Sequence, residues 1–172
     1  MIMPRGDQLL LPLNPLFLWF SLVVALLLNM LPLGRIAWMP DFLALALVFW
    51  SIHQPRRVGV GTAFAFGLLM DVHQAALLGQ HALAYTALAF LAIMIHRRVL
   101  WFPIASQAIQ VLPLFAGAHA LELLVRMIGG GYFPGWSLAL APVIEMLLWP
   151  VAAWVLLAPQ RRPPERDDHR PL

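Results

Sequence analysis

Five ionisable side chains interrupt otherwise apolar stretches of this chain: Asp71, His119, Glu122, Arg126 and Glu145. A carboxylate in apolar surroundings is the raw material of a proton or cation relay, because it must find a partner, take up a proton or face a polar interior. Glu145 is the strongest case. It lies near the middle of the last apolar block, where an ionised side chain costs about 2.5 to 3.5 kcal/mol. His119, Glu122 and Arg126 follow one another at about one-turn intervals, so Glu122 and Arg126 are expected to pair locally. The set Glu122, Arg126 and Glu145 reads either as buried polar groups with structural partners or as the start of a relay.

Nothing else in the sequence completes a reactive site. His53, His73, His81 and His96 fall near expected helix ends without metal-ligand spacing, and no HExxH occurs. The serines Ser21, Ser51, Ser106 and Ser137 lie apart and outside any Gly-x-Ser-x-Gly elbow. Cysteine is absent, which removes disulfides, a thiol nucleophile and thiolate metal sites. The expectation is therefore no catalytic residue, no metal and no cofactor.

The elements that must position these groups are membrane helices. Apolar residues make up 62% of the 172 and charged ones 11%, whereas a soluble domain carries roughly 25% charged residues. Six apolar blocks, at about 16–33, 37–53, 58–72, 82–95, 103–127 and 136–158, predict an all-α, polytopic integral membrane helical bundle with six transmembrane helices. They form a single transmembrane domain over 1–158. A Pro-, Arg- and Asp-rich tail over 159–172 is expected to be disordered and cytoplasmic. The third and fourth blocks are short for a span, so each is expected to extend into its flanks or to sit in a thinned region; a five-span alternative makes Asp71 to His81 a re-entrant element. The first block is expected to be a retained helix, since further spans follow it.

Arginine sets the orientation, because the chain has no lysine. With six spans, Arg5, Arg56, Arg57, Arg97, Arg98, Arg161, Arg162, Arg166 and Arg170 share one side and Arg35 and Arg126 the other. This asymmetry predicts cytoplasmic termini. It also explains the positive charge by topology, so nucleic-acid binding is not expected. Tryptophans fall mostly toward block ends, where the indole anchors to headgroups.

Within the third block, Gly59, Ala63, Gly67 and Asp71 recur every four residues and so share a helix stripe. Small residues at that spacing let two helix backbones approach closely in lipid. The stripe serves either packing inside the bundle or a partner interface, and Gly79 follows at the next turn. Asp71 either accepts hydrogen bonds from the backbone leading to Gly79 or contacts a partner.

Several runs together resemble the bacterial rod shape-determining protein MreD family. They are Pro40-Asp41-Phe42 opening a helix that closes at Phe49-Trp50, then Pro55-Arg56-Arg57-Val58-Gly59-Val60-Gly61-Thr62, Gly67-Leu68-Leu69-Met70-Asp71, Leu78-Gly79 and Leu148-Trp149-Pro150. The resemblance implies a non-enzymatic component of the cell-elongation machinery in the bacterial inner membrane, placing lateral-wall peptidoglycan synthesis. It implies MreC as partner, with MreB, RodA, the elongation-specific penicillin-binding transpeptidase and membrane lipid as further contacts. It also implies a fold similar to the substrate-binding subunits of energy-coupling-factor transporters. That similarity supplies the alternative, a membrane subunit binding a vitamin or small solute, for which Asn29, Gln107, Gln110, His119, Glu122 and Glu145 would have to converge.

Overall fold

The structure, a computed structural model, describes residues 14–31 and 38–160. Arg5, Arg35, Arg161, Arg162, Arg166, Arg170 and most of the expected tail lie outside them. The described residues form six α-helices: α1 (Pro15–Asn29), α2 (Phe42–His53), α3 (Val60–His73), α4 (Gln80–Leu100), α5 (Ile104–Ile128) and α6 (Leu140–Leu157), with a 3-10 turn over Trp136–Ala139 leading into α6. The segment from 74 to 79 is a turn between α3 and α4.

Local chemistry explains three of the six helix starts. The Asn14 side chain accepts from Leu16 N ahead of Pro15, whose missing N–H has no helical partner to lose. Asp41 accepts from Ala44 N at the start of α2. Gly79 adopts φ +103° before α4, a conformation a side chain would strain.

α2 is the central element, packed against α1, α4 and α6, with every residue except Phe42 and His53 buried. A helix apolar all round belongs in an interior. α3 lies chiefly on α4, which also contacts α5, and α5 contacts α6. Around α2 an aromatic core forms from Phe49, Trp50, Phe115 and Trp149. Trp50 Nε1 donates to Ser21 Oγ at 2.8 Å and Trp149 Nε1 to Gln107 Oε1 at 3.3 Å, so both indoles keep a partner inside the bundle.

One expectation changes here. Trp50 and Trp149 are fully buried and are not headgroup anchors, unlike Trp101 at 90% and Trp136 at 86% exposure. The fourth helix does extend into its flanks: α4 runs from Gln80 to Leu100, past Arg97 and Arg98. In a last turn those cations oppose the negative helix terminus and reach water along their own stems. The segments Gln80–Leu100, Ile104–Ile128 and Trp136–Gln160 are long and apolar enough to cross a membrane; α1, α2 and α3 are shorter apolar helices. α5 continues through the exposed Pro113.

Candidate functional site: a polar chamber at the arginine-poor end

Because successive helices alternate in direction, one end of the bundle collects the C-termini of α1, α3 and α5 with the N-termini of α2, α4 and α6. Arg56, Arg57, Arg97 and Arg98 lie at the opposite end. The first end holds a partly open chamber of about 940 Å3, bounded by residues that include Asn29, Asp41, Gln80, His119, Glu122 and Arg126. Its outer loops nearly touch. A Cβ on Gly129, just after α5, would fall 2.0 Å from Leu77 Cδ1 in the α3–α4 turn.

Asp41 is the hub of the chamber wall. Its carboxylate accepts from Asn29 Nδ2, from Ala44 N at 2.8 Å and from the Tyr85 hydroxyl. Asn29 Oδ1 in turn accepts from Phe42 N at 2.9 Å. One step deeper, Glu145 Oε1 accepts from Asp41 N at 2.8 Å and lies 2.8 Å from His119 Nε2. The other ring nitrogen of His119 is 3.6 Å from Glu122 Oε2. These contacts tie α1, α2, α4, α5 and α6 together at one level. Their main work is to supply partners for polar groups that lipid would leave bare.

Asp71 does the same for α3 and α4. It is almost wholly buried at the end of α3, and its two oxygens accept from Gly79 N and His81 N at 2.7 Å each and from Ala82 N at 3.3 Å. His81 Nδ1 adds a contact at 2.8 Å. One carboxylate thus takes up three backbone donors around the start of α4, a helix whose glycine N-cap offers no side-chain oxygen.

Of the stripe leading to Asp71, Gly67 makes the tightest approach. A Cβ there would lie 2.3 Å from Ala82 Cα and 2.8 Å from His81 O, so α4 crosses directly over it. Ala63 is fully buried on the same face. Gly59 is different: it precedes α3 as N-cap, and a Cβ there would meet only Pro55 O at 3.9 Å. Its place in the four-residue repeat gives it no close helix contact, because it stands before the helix begins. Gly79 serves through its positive φ and its N–H, which Asp71 receives.

The expected polar trio separates. Glu145 is fully buried, but Glu122 and Arg126 are only half-buried at the chamber. Nor does Glu122 pair with Arg126 among the described residues; it turns toward His119, which Glu145 already holds from the other side. The aliphatic stem of Arg126 is pinned by the following loop, where Gly131 N donates to Arg126 O at 2.9 Å and a Cβ on Gly131 would sit 2.6 Å from Arg126 Cγ. Of the polar residues named as a possible convergence, Asn29, His119, Glu122 and Glu145 do meet. Gln107 bonds Phe102 O and Trp149 at the other end instead.

Sequence reasoning missed Tyr85, Gln80 and the hub role of Asp41. The Pro40-Asp41-Phe42 run carried the available signal, an N-cap residue ahead of an apolar helix. Nothing local marks Tyr85 as its partner from another helix. Among the described residues no group of three or more His, Asp or Glu could hold a metal ion.

Comparison with known proteins decides the family. The family model described as rod shape-determining protein MreD matches residues 11–157. The chain belongs to the MreD family. It is similar to the rod shape-determining protein MreD of Haemophilus influenzae, with 28% identity over 149 residues that cover 81% of this chain and 88% of that relative. No solved structure matches it. Membership places a helical membrane bundle among proteins of cell-shape determination, and the Gly67 and Asp71 contacts fall within the stretch that matches MreD.

Proposed function

We propose that this MreD-family protein is a non-enzymatic scaffold of the cell-elongation complex, lying in the inner membrane with both termini cytoplasmic. In this reading it holds MreC and, through it or beside it, MreB, RodA and the elongation-specific transpeptidase, by helix packing and short loop contacts. The observation that carries the reading is the use of the acids. Asp41, Asp71 and Glu145 are engaged in holding helix ends and helix pairs together, as expected of a rigid structural bundle. The arginines support the orientation: Arg56, Arg57, Arg97 and Arg98 gather opposite the chamber, so the chamber faces the periplasm. Those four side chains also suit anionic lipid, each contributing about 1 kcal/mol near a charged surface.

Glu145 tests the reading. Glu145→Gln keeps the oxygen that Asp41 N and His119 share, and places the amide nitrogen where Oε2 has no partner among the described residues. A scaffold therefore retains rod morphology in a strain depleted of its own MreD. Glu145→Leu strands the Asp41 N–H and lowers the folded level in the membrane. Round cells carrying Glu145→Gln at normal membrane level and with normal MreC recovery would mean that a titratable group is required, and the scaffold reading would fail.

One observation favours a second reading, a membrane subunit that binds a small solute for transport. The chamber's volume lies within the range of ligand sites, about 300 to 1,000 Å3, and polar side chains converge on it.

A further inference from the structure

The chamber's polar wall is not evenly satisfied. The carboxylate of Asp41 already takes three donors, and Glu122 is turned to His119. Besides the exposed His73 and Gln74, two side chains of the wall remain without partners among the described residues. The Arg126 guanidinium, half-buried on the wall, has no carboxylate within ion-pairing distance. Gln80, only 2% exposed and also on the wall, has its side-chain Nε2 unbonded. Both are donors, and a guanidinium offers a planar fork that matches a carboxylate or phosphate in two parallel bonds. The nearby acids add a restriction. Asp41 and Glu122 on the same wall, with Glu145 behind it, disfavour a multiply charged anion and favour hydroxyl groups on the rest of the occupant.

We propose that the chamber is a binding site for a singly charged oxyanion on a hydroxyl-bearing molecule, a carboxylate or phosphodiester received by Arg126 and Gln80. The same chemistry can arrive as a soluble molecule or as a lipid headgroup. Size supports an occupant larger than a bare ion, since about 940 Å3 is room for many heavy atoms. The site stands independently of the scaffold reading, because it rests on the wall's unpaired donors and on no partner protein.

The absence of native cysteine makes a direct test available. Ala76→Cys places one thiol on the chamber wall, and Leu138→Cys places one at another point of it. The full chain is reconstituted in phosphatidylcholine nanodiscs and the rate of labelling by a small water-soluble maleimide is followed. The probes are gluconate, glycerophosphoglycerol and replacement of the lipid by phosphatidylglycerol. Binding slows labelling at least about fivefold once the site is mostly filled. Slowing by either soluble probe identifies a soluble ligand class; slowing by phosphatidylglycerol alone identifies a headgroup. Arg126→Gln abolishes the protection and Arg97→Gln, at the other end, leaves it. If Arg126→Gln fails to fold, Arg126→Lys keeps the charge without the fork and weakens protection. Labelling indifferent to all three probes at both reporters overturns the proposal, as does protection undiminished in the Arg126 variants.

Discussion

Gly67→Ala is expected to destabilise the protein in mild detergent while Gly61→Ala, six residues earlier on the same helix, leaves it unchanged or slightly more stable. Alanine is favoured over glycine within a helix by about 1 kcal/mol, so propensity alone predicts a gain at both positions. Space decides otherwise at Gly67. Its added methyl would lie 2.3 Å from the Cα of Ala82, a backbone atom that moves only if α4 moves. Overpacking of this kind costs about 1 to 3 kcal/mol and more when the neighbour cannot yield, so it outweighs the propensity term. At Gly61 nothing lies within 4 Å of the added carbon. Melting followed by size-exclusion fluorescence reads both variants, and equal behaviour at 61 and 67 would remove the argument that α3 and α4 are in backbone contact.

Asp71 should be still less tolerant. Asp71→Ala leaves the buried amides of His81 and Ala82, and the part-buried amide of Gly79, without their acceptor. One buried unsatisfied amide costs about 1 to 3 kcal/mol, so the loss for the two buried ones is at least about 2 kcal/mol. Asp71→Asn is expected to do little better. One of its two termini becomes an NH2 facing a backbone donor. Both variants should lose most of the folded peak after extraction, whereas a residue whose work is partner contact would lose partner recovery and keep the peak. A normal peak for Asp71→Ala would return Asp71 to the partner-contact reading.

The helices were legible in the sequence where a single periodic signal governs them. Apolar blocks separated by Pro, Gly and Arg place six helices within a few residues of those observed, since lipid leaves the backbone few alternatives. The extension of α4 was expected from its short apolar block but its end was not placed, because arginine marks where water begins and a helix can continue past that point. The stripe from Ala63 through Gly67 to Asp71 was readable because its members lie on one helix. The Asp41 hub was not, as its partners Asn29, Tyr85 and Glu145 come from three other helices and only packing brings them together. The same limit explains Glu122. Spacing along α5 offers Arg126 and His119 equally, and the choice is made by Glu145 on the neighbouring helix, which fixes the imidazole between two carboxylates.

The central claim is that the bundle works by holding partners rather than by moving a solute. Its most direct test is recovery of the tagged full-length chain from native membranes in mild detergent, with identification of what accompanies it at stoichiometric level. The scaffold account predicts MreC, retained when Glu145 is Gln and lost together with the fold when Asp71 is Ala. Recovery of an ATPase module with a bound small solute, and no MreC, would contradict it.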